Sequence, residues 1–598
     1  MTTSLLATLR HALRGAFETA GFDPETVIVE TSRRPELGQF QCNSAMQLAK
    51  THRTKPRDIA ERLVAALGAV PFITDLAIAG PGFVNFNLTD EFLAVRANDM
   101  AGDARLGFPK VEAPAKVVID YGGPNVAKPM HVGHLRASII GEALKRIMRF
   151  RGHDVVGDVH LGDWGLPIGM LIHELSLRQP GLPYFDAAKT EGFPEESPVT
   201  IDDLEEMYPA AVSRCRENDD DMQAARRKTA ELQNGRPGYI ALWRHFMQTS
   251  RASQAGDFDR LGVSFDLWRG ESDVADLVQP LVRDLQARGI AEVDQGAILI
   301  RFKPAEDDGS EEEGEGDEEE LTPLILVTSD GTVTYAATDL ATIQDRVARL
   351  SPDLSLYVVD SRQGLHFRQV FEAAQRAGLN DGMGMEHIGF GTVNGPDGKP
   401  LKTRSGGVPR LGDLLDQANE EAGKRLAEHR LGLEFGEAER ADIAHKVGLA
   451  AIKFADLNHQ RTANYAFDLA NFTRFEGKTG PYLLYTVVRL NSVLAKGGGV
   501  PADARFTAFS TQVERDLLIR IATLPEVLKR VEERRAPNVL CDFAYDLAQQ
   551  INAFYHEVPV NQEPDPGRRA HLTLLVDVSA RALTLVLELL GIEVPARM

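Results

Sequence analysis

Cysteine and long apolar runs are the two features that this sequence has least of. Its 598 residues include only three cysteines, Cys42, Cys215 and Cys541, which are far apart and odd in number. They form neither a disulfide framework nor a metal-binding pair, which excludes a disulfide-stapled secreted fold and fits a reducing cytosol. No stretch approaches the roughly 18 consecutive apolar residues of a membrane span, and the N-terminal MTTSLLATLRHALRGAF is not organised as a signal peptide. We therefore expect a cytoplasmic protein without a membrane partner.

Basic residues are also fewer than acidic ones: the chain has 66 Lys and Arg residues and 87 Asp and Glu residues, so its net charge is −21. Residues 306–320, EDDGSEEEGEGDEEE, hold 11 of the acids and no base. Such a run predicts a solvated, mobile loop. The overall charge argues only mildly against a nucleic-acid partner, because RNA binding depends on where Lys and Arg lie rather than on their total.

The length predicts three or four domains. Residues 1–105 mix helical and strand patterns, including a leucine-rich amphipathic first helix and a strand in PGFVNFNL. Residues 106–420 alternate strands and helices, as in an α/β domain with a parallel sheet, and are interrupted by a polar insertion at 170–320 that carries the acidic loop. From about 321, short apolar strands such as LTPLILVTS alternate with helices, as in a second βαβ half. Residues 421–598 are almost entirely helical. The predicted fold class is therefore multidomain, with a small α/β N-terminal domain, a central α/β domain and an all-α C-terminal domain.

One βαβ unit carries the most informative residues. Its first strand, Val117–Asp120, is followed by a turn and then by a helix that Gly152 is expected to cap, and 155–161 form the next strand. The turn places His131, Gly133 and His134 at the N-terminus of the helix. Free backbone N–H groups and the helix dipole bind phosphate at this position in open parallel sheets. The histidines predict donors that stabilise phosphate charge, and Gly133 lets a nucleotide approach the backbone.

No Walker GxxxxGK[ST] and no GxGxxG occurs at this turn, which disfavours a P-loop NTPase and a dehydrogenase. HxGH alone is a weak signal. It gains weight from its surroundings, PNVAKPMHVGHLR after one strand and HLGDWG at the end of the next. These segments resemble the HIGH-signature region of class I aminoacyl-tRNA synthetases, and specifically of the arginyl enzymes. GPGFVNFNL, YAATDLA, VVDSRQGLHFRQVF, GKTGPYLLYTVVR and LLGIEVPARM resemble arginyl-enzyme segments in the same order.

The resemblance implies a role for each domain and a set of ATP-binding residues. Residues 106–420 would be a Rossmann-type catalytic domain, 1–105 would touch the tRNA elbow and 421–598 would read the anticodon. The counterpart of the second signature, KMSKS, is GKPLKTRSGG at 398–407, where Pro400 and Thr403 stand at the lysine positions. The implied ATP-binding and catalytic residues are His131, Gly133, His134, Val393 and Lys399, with Lys128, Lys402 and Arg404 as further cations near the phosphates.

An arginine pocket needs carboxylates in a fork geometry, because the guanidinium is a planar cation with five donors. The family's pocket positions map onto Asp120, Asn125, Tyr335, Asp339 and Gln363. Two acids can flank a guanidinium, a tyrosine ring can stack on it, and the two amides can fix the remaining polar groups of the ligand. Without the resemblance, the sequence fits two other assignments as well as a role in the pocket: Asp339 as a helix cap and Tyr335 as a core tyrosine.

The tRNA-binding residues are predicted from segments in which basic and aromatic residues alternate, and from the resemblance. Unpaired anticodon bases are read by stacking and by hydrogen bonds to their edges. The candidates are Arg34 and Gln39 in the N-terminal domain, and Arg461, Tyr465, Arg474 and Met598 in the C-terminal domain.

The implied reaction uses ATP and Mg²⁺ to form arginyl-adenylate, from which the arginyl group passes to the 2′-hydroxyl of the terminal ribose of the cognate tRNA. We expect the protein to be a monomer and to have no metal site of its own. Alternatives are another class I synthetase of the glutamyl or glutaminyl type, a small nucleotidyltransferase, and a non-catalytic RNA-binding paralogue. Three scattered cysteines exclude a zinc-bound cysteinyl pocket, and an acidic substrate would need basic residues at Asp120 and Asp339.

Overall fold

The computed structural model describes residues 3–32, 34–302, 321–395, 397–399, 401 and 409–598. These residues form two compact units. The first comprises the described part of Met1–Glu112 together with Glu421–Asn458 and Ala470–Met598, and the second comprises Ala113–Glu420 and His459–Leu469. The acidic run 306–320 and the second-signature residues Lys402 and Arg404 lie outside the described residues. Within the described part of the chain, no helix is long and apolar enough to cross a membrane.

The first 112 residues form a four-stranded antiparallel sheet with four helices. In chain order the elements are α1 (Leu5–Thr19), β1 (Val29–Thr31), β2 (Phe40–Cys42), α2 (Ser44–His52), α3 (Pro56–Leu67), β3 (Ile73–Ala79), β4 (Phe83–Leu88) and α4 (Asp90–Gly102). The sheet order is β1-β2-β4-β3. The spacing of leucines predicted one buried face for α1, and the structure buries it, with Leu9 and Phe17 almost inaccessible. The strand predicted in PGFVNFNL is β4.

The central parallel sheet begins with the predicted βαβ unit. The first half of the second compact unit contains β5 (Lys116–Tyr121), α5 (Val132–Arg151), β6 (Asp154–Leu161), α6 (Leu166–Arg178), α7 (Ile201–Glu217), α8 (Asp219–Gln233), α9 (Pro237–Arg260), β7 (Leu267–Gly270) and α10 (Ala275–Ala287). α5 ends at Gly152, whose φ of 105° is left-handed, so the predicted glycine cap is confirmed. β7 lies inside the predicted insertion 170–320 yet pairs with β6 as a strand of the central sheet. Four residues of mixed polarity, LWRG, gave no strand pattern.

The later part of the second compact unit completes the sheet. It contains β8 (Glu292–Asp294), β9 (Ala297–Ile300), β10 (Leu324–Val327), α11 (Tyr335–Leu350), β11 (Leu354–Val358), α12 (Gly364–Ala377), β12 (Gly384–His387) and β13 (Val393–Asn394). The five-stranded sheet has the order β12-β11-β5-β6-β7 and every pair in it is parallel. LTPLILVTS was expected to supply a strand of the second βαβ half. Its strand β10 instead pairs antiparallel with β9 in a separate three-stranded sheet, because its partner is close along the chain.

The remainder of the chain is almost entirely helical. Its elements are α13 (Leu411–Glu428), α14 (Glu437–Leu457), β14 (Tyr465–Ala466), α15 (Leu469–Phe472), α16 (Gly480–Lys496), α17 (Gln512–Ala522), α18 (Leu524–Arg534), α19 (Asn538–Glu557) and α20 (Pro566–Leu589). β14 pairs in parallel with β13, and this pairing places 459–469 in the second unit. The sequence had assigned the whole of 421–598 to one helical domain, since a two-residue strand leaves no periodic pattern.

Candidate active site

A cleft of about 680 Å³ opens at the carboxyl ends of β5, β6 and β11. β6 lies on one side of β5 and β11 on the other, so this is the topological switch point at which open parallel sheets bind ligands. The cleft brings together residues that the sequence placed in both the ATP site and the arginine pocket. Those that line it are Asp120, Asn125, His131, Gly133, His134, Asp339, Gln363 and Val393.

The two histidines of the HVGH turn hold each other and the start of α5. His131 is the N-cap, and its Nδ1 accepts a hydrogen bond of 3.0 Å from the backbone N–H of Gly133. Nδ1 of His134 accepts one of 3.1 Å from the backbone N–H of His131. The rings stack with centroids 4.0 Å apart. A side chain at Gly133 would meet the His131 ring at 2.7 Å, which explains the need for glycine there.

Both rings are neutral at physiological pH. Burial lowers the pKa of His134 to about 3, helped by the adjacent His131 and Lys128. Burial, and then Lys128, also lowers the pKa of His131. Because each Nδ1 accepts a backbone N–H, the proton of each neutral ring is on Nε2. The pair therefore offers two Nε2–H donors at the positive end of a helix, an arrangement suited to phosphate oxygens.

Asp120 lies at the end of β5 and already has a cationic partner inside the protein. Its Oδ2 accepts a hydrogen bond of 2.6 Å from Nη2 of Arg346, and the same nitrogen donates to Oδ2 of Asp158 at 2.7 Å. Within the part of the chain that the structure describes, Oδ1 of Asp120 thus remains for a ligand in the cleft. The sequence had assigned this carboxylate to the pocket for the arginine guanidinium without indicating an internal partner.

Asp339 reaches the cleft from the second turn of α11. Its Oδ2 lies 2.6 Å from Nε2 of His366, which comes from the first turn of α12. Both side chains are only partly buried. The alternative assignment of Asp339 as a helix cap does not fit this position, because α11 begins four residues earlier with Thr334 as its N-cap. Asp339 therefore projects a carboxylate of fixed orientation into the cleft.

The two amides of the predicted pocket are placed by local structure. Asn125 forms a β-bridge with Gly162 in the HLGDWG segment, and a Cβ at that glycine would lie 2.2 Å from Oδ1 of Asn125. The glycine of HLGDWG thus makes room for the Asn125 side chain. Gln363 is exposed at the N-cap of α12 and lines the same cleft.

Tyr335 departs from the expected pocket. Its side chain is 56% exposed and lines a neighbouring cavity of about 730 Å³ together with Trp164 and Glu271. Burial, followed by the charges of Asp163 and Asp339, raises the pKa of Glu271 to about 8. The ring of Tyr335 therefore lines a different cavity from the other predicted pocket residues, one helical turn before Asp339, and is not a core tyrosine.

The cations expected near the phosphates are only partly described. Lys128 is half-buried on the turn before α5, with Nζ 4.1 Å from the centroid of the Tyr208 ring. Lys399 is exposed beyond β13, in a turn closed by hydrogen bonds to Gly395 and Asp397. Among the described residues, no group of three or more His, Cys, Asp or Glu side chains is arranged to hold a metal ion.

Two of the predicted tRNA contacts are corrected by their burial. Gln39 is 8% exposed, and its Oε1 accepts hydrogen bonds from the backbone of Leu88 and from Arg515, both within the first unit. Tyr465 is 5% exposed, with its ring stacked on His459 and facing the Arg136 guanidinium. A buried amide oxygen and a buried ring are not available to stack on or pair with RNA.

The other four tRNA candidates are differently placed. Arg461 belongs to the second unit, where its Nη1 donates to the carbonyl of Gly389 at 2.6 Å. Arg34 and Arg474 are exposed, and Met598 is half-buried at the end of the chain. The last three lie in the first unit.

The family is decided by comparison with known proteins. A model of the catalytic domain of class I tRNA synthetases (R) matches residues 99–469, a model of the arginyl-tRNA synthetase N-terminal domain matches 3–88, and a DALR anticodon-binding domain model matches 483–598. The chain is 49% identical over its full length to the arginine–tRNA ligase of Maricaulis maris, covering 100% of both chains. It is 47% identical to that of Hyphomonas neptunium, again over 100% of both. This chain belongs to the arginyl-tRNA synthetase family.

Solved structures of the family share this architecture. The arginyl-tRNA synthetase of Plasmodium falciparum superimposes with a TM-score of 0.82 at 21% identity over 100% of both chains. That of Thermus thermophilus gives 0.77 at 23% identity, over 99% of this chain and 100% of the other. At these identities the likeness concerns the fold: an N-terminal domain, a catalytic domain with a parallel sheet and a helical C-terminal domain.

Sequence reasoning missed three residues of this synthetase's cleft region. Arg346, His366 and Glu271 each contact or influence a predicted site residue. His366 lies within the quoted segment VVDSRQGLHFRQVF, so its nearness to Gln363 was a usable signal. Arg346 lies seven residues after Asp339, on the same face of one helix, and this spacing could have indicated it.

Proposed function

We propose that this chain ligates L-arginine to its cognate tRNA, with the cleft beside the HVGH turn as its active site. In the first step a carboxylate oxygen of arginine attacks the α-phosphorus of ATP. The bond to the β-phosphate oxygen breaks, so arginyl-adenylate forms and pyrophosphate leaves. In the second step the 2′-hydroxyl of the tRNA's terminal ribose attacks the arginyl carbonyl, and AMP leaves. The observation that carries this proposal is that one cleft joins phosphate donors at a helix N-terminus to a carboxylate pocket.

The phosphate end of the site acts through donors and cations. The Nε2–H groups of His131 and His134 meet the triphosphate, where they stabilise charge that grows in the transition state, and Gly133, which has no side chain, lets the nucleotide approach the backbone. Lys128, Lys399, Lys402 and Arg404 supply positive charge around the leaving pyrophosphate, and Val393 lines the same cleft beside the nucleotide. The side chains around this turn are hydrogen-bond donors rather than oxygen ligands, so Mg²⁺ would arrive with ATP, held by phosphate oxygens and water.

The arginine end of the site acts through fixed carboxylates. Asp339, oriented by His366, meets the guanidinium with its full charge. Asp120 contributes its free oxygen, and Asn125 and Gln363 bind the remaining polar groups of the substrate. Tyr335 closes the pocket where it borders the neighbouring cavity. A competitor without a guanidinium leaves these acids unpaired, which supports discrimination of about 10⁴ or more without editing.

The remaining parts of the chain bind tRNA. Residues 1–105 meet the tRNA elbow through the loop of Arg34, and the helical residues beyond 421 read the anticodon, with Arg474 and Met598 near the bases. Arg461 acts at the junction of β13 and β14, within the catalytic unit. The protein works as a monomer in the cytoplasm. The family match favours this proposal over a glutamyl or glutaminyl specificity.

Charging assays with altered tRNA ends test the proposed reaction. The protein is incubated with ATP, labelled arginine and cognate tRNA that ends in adenosine, 2′-deoxyadenosine or 3′-deoxyadenosine. We expect charging of the first and third and none of the second, because the 2′-hydroxyl accepts the arginyl group. Charging of the adenosine and 2′-deoxyadenosine tRNAs, with none of the 3′-deoxyadenosine tRNA, would place the transfer on the 3′-hydroxyl. No charging of any tRNA by arginine would refute the assigned function.

A further inference from the structure

Three side chains lie in one row across the central sheet. Tyr357 on β11 is in register with Asp120 on β5, and Asp120 is in register with Asp158 on β6. Residues in register on neighbouring parallel strands project to the same face, with strands about 4.8 Å apart. Two carboxylates are therefore adjacent beneath the cleft. Without a cation between them, their charges would repel each other and shift the position of Asp120.

Arg346 fills this place from α11. Its Nη2 donates to Asp120 at 2.6 Å and to Asp158 at 2.7 Å, and its guanidinium carbon lies 5.2 Å from the Tyr357 ring centroid. Only 3% of its side chain is exposed. Burial lowers the pKa of Arg346, but the charges of the Asp120 and Asp158 carboxylates outweigh it and raise the pKa above its ordinary value. The residue is thus a permanent buried cation.

The same helix carries Asp339 into the cleft. Asp339 and Arg346 are seven residues apart, which places them on one face of α11 about 10 Å apart along its axis. α11 is separated from β5 by more than 200 residues of chain. Arg346 therefore ties the helix that carries one pocket carboxylate to the strand that carries the other. The spacing between Asp339 and Asp120 depends on this tie.

The arrangement is a poor one for stability alone. Both hydrogen bonds use one nitrogen, and within the described residues Nε and Nη1 of Arg346 and Oδ1 of Asp158 are buried without a hydrogen-bond partner. Buried ion clusters are often no more stabilising than apolar side chains of similar volume. Asp158 does not line the cleft; it lines a small cavity of about 40 Å³ beside Thr342. The cluster therefore makes more sense as a device that sets the geometry of Asp120.

We propose that Arg346 is a positioning residue for arginine specificity. It fixes the distance between Asp339 and Asp120 and occupies Oδ2 of Asp120, so the substrate meets two carboxylates, each of which has one oxygen held by an internal partner. The substrate guanidinium binds at the end of a row that already contains an internal guanidinium. This role rests on the proposed function, since it concerns the pocket for the arginine side chain.

Kinetics of three variants test this role. ATP–pyrophosphate exchange is measured in the presence of tRNA for Arg346→Lys, Arg346→Met and the control Arg349→Met. Arg349 lies on the same helix, but its side chain is 55% exposed. Its Nη1 lies 3.9 Å from Oδ2 of Asp345, which is a long distance for an ion pair. We expect both Arg346 variants to raise the KM for arginine by about tenfold or more, with the KM for ATP within about twofold. The control should leave both within about twofold.

Homoarginine, one methylene longer than arginine, separates positioning from general damage. A pocket with fixed carboxylates prefers arginine by about 10-fold or more, as one methylene usually allows. This preference should fall by about fivefold in Arg346→Lys, because a lysine keeps the charge but cannot bridge both acids. If Arg346→Met does not fold, Arg346→Lys alone decides the matter by this ratio.

Two results would overturn the role. One is an Arg346→Lys protein whose arginine KM and homoarginine preference equal those of the wild type. The other is a variant in which the KM values for arginine and ATP rise together while the homoarginine preference is kept, as general loosening would produce. A wild-type protein that shows no arginine-dependent exchange with tRNA would refute the proposed function instead, and the two failures are thereby distinguished.

Discussion

Nε2 of His366 lies 2.6 Å from Oδ2 of Asp339, so the carboxylate that enters the cleft from α11 is fixed by a residue of α12. Asp120 is held in the same way by Arg346. Both acids of the pocket thus have internal partners that set their orientation. The specificity of the pocket depends on these partners as well as on the acids that touch the substrate.

Asp339→Asn should raise the KM for arginine much more than the KM for ATP. The change removes the charge from the proposed contact with the substrate guanidinium, at a cost of about 2–4 kcal/mol. Steady-state exchange with arginine and ATP varied in turn measures both constants. Asp345→Asn on the same helix, whose acid pairs with Arg269, is the matched control. An unchanged arginine KM in Asp339→Asn would give this acid a purely structural role.

The neutral His134 should make the protein less stable in mild acid. The folded pKa is about 3, below the value of about 6.5 expected in the unfolded chain. The folded state therefore binds fewer protons than the unfolded chain. The stability that the neutral His134 ring contributes is fully present above about pH 6.5 and is lost as the pH falls towards 3. Between pH 7.5 and 5.5 this group alone should cost about 1.4 kcal/mol.

Urea unfolding of the wild type and of His134→Asn at both pH values measures this cost. Asparagine retains an acceptor for the backbone N–H of His131 but has no ionisation in this range. We expect the variant to lose about 1.4 kcal/mol less than the wild type over the interval. Equal losses in the two proteins would mean that His134 keeps an ordinary pKa in the folded state.

Lys128→Ala should lower the rate of adenylate formation by about 10²-fold or more, which corresponds to roughly 2.7 kcal/mol of transition-state stabilisation. Lys128 precedes the HVGH helix, and its charge already acts on both histidines there. The sequence places Pro400 and Thr403 where the second signature has lysines, so another cation must neutralise the leaving pyrophosphate. Pre-steady-state adenylate formation is the measurement.

Lys402→Ala is the comparison for that experiment. It should cost less than Lys128→Ala and act partly through the KM for ATP. A nearly silent Lys128→Ala together with a severely slowed Lys402→Ala would transfer the role to Lys402.

Deletion of residues 306–320 should leave the rate of aminoacylation within about threefold of the wild type. The run contains acids without bases and no residue of the proposed site. Charging of tRNA at several tRNA concentrations gives both kcat and KM. A large rise in the KM for tRNA would show that the acidic run takes part in binding.

The sequence predicted the parts of the fold that depend on local patterns. The leucine face of α1, the βαβ unit and the cap at Gly152 follow from periodicity and glycine chemistry, and the structure confirms them. The HVGH turn was placed at a helix N-terminus for the same reason. The likeness to arginyl enzymes supplied the pocket residues, most of which meet in one cleft.

The remaining features depend on contacts between distant segments. No local pattern pairs Asp120 with Arg346, because 226 residues separate them. The burial of Gln39 and Tyr465 also depends on neighbours far along the chain, which is why both were expected to face RNA. Strands of two to four residues, such as β7 and β14, are too short for alternation to be recognised.

ATP–pyrophosphate exchange with each of the twenty amino acids, with and without tRNA, tests the central claim most directly. The claim is that the cleft beside His131 activates arginine through a pocket of fixed carboxylates. We predict exchange with arginine alone and only when tRNA is present, as the resemblance to arginyl enzymes implies. Exchange with glutamate or glutamine, or robust exchange without any tRNA, would contradict the account.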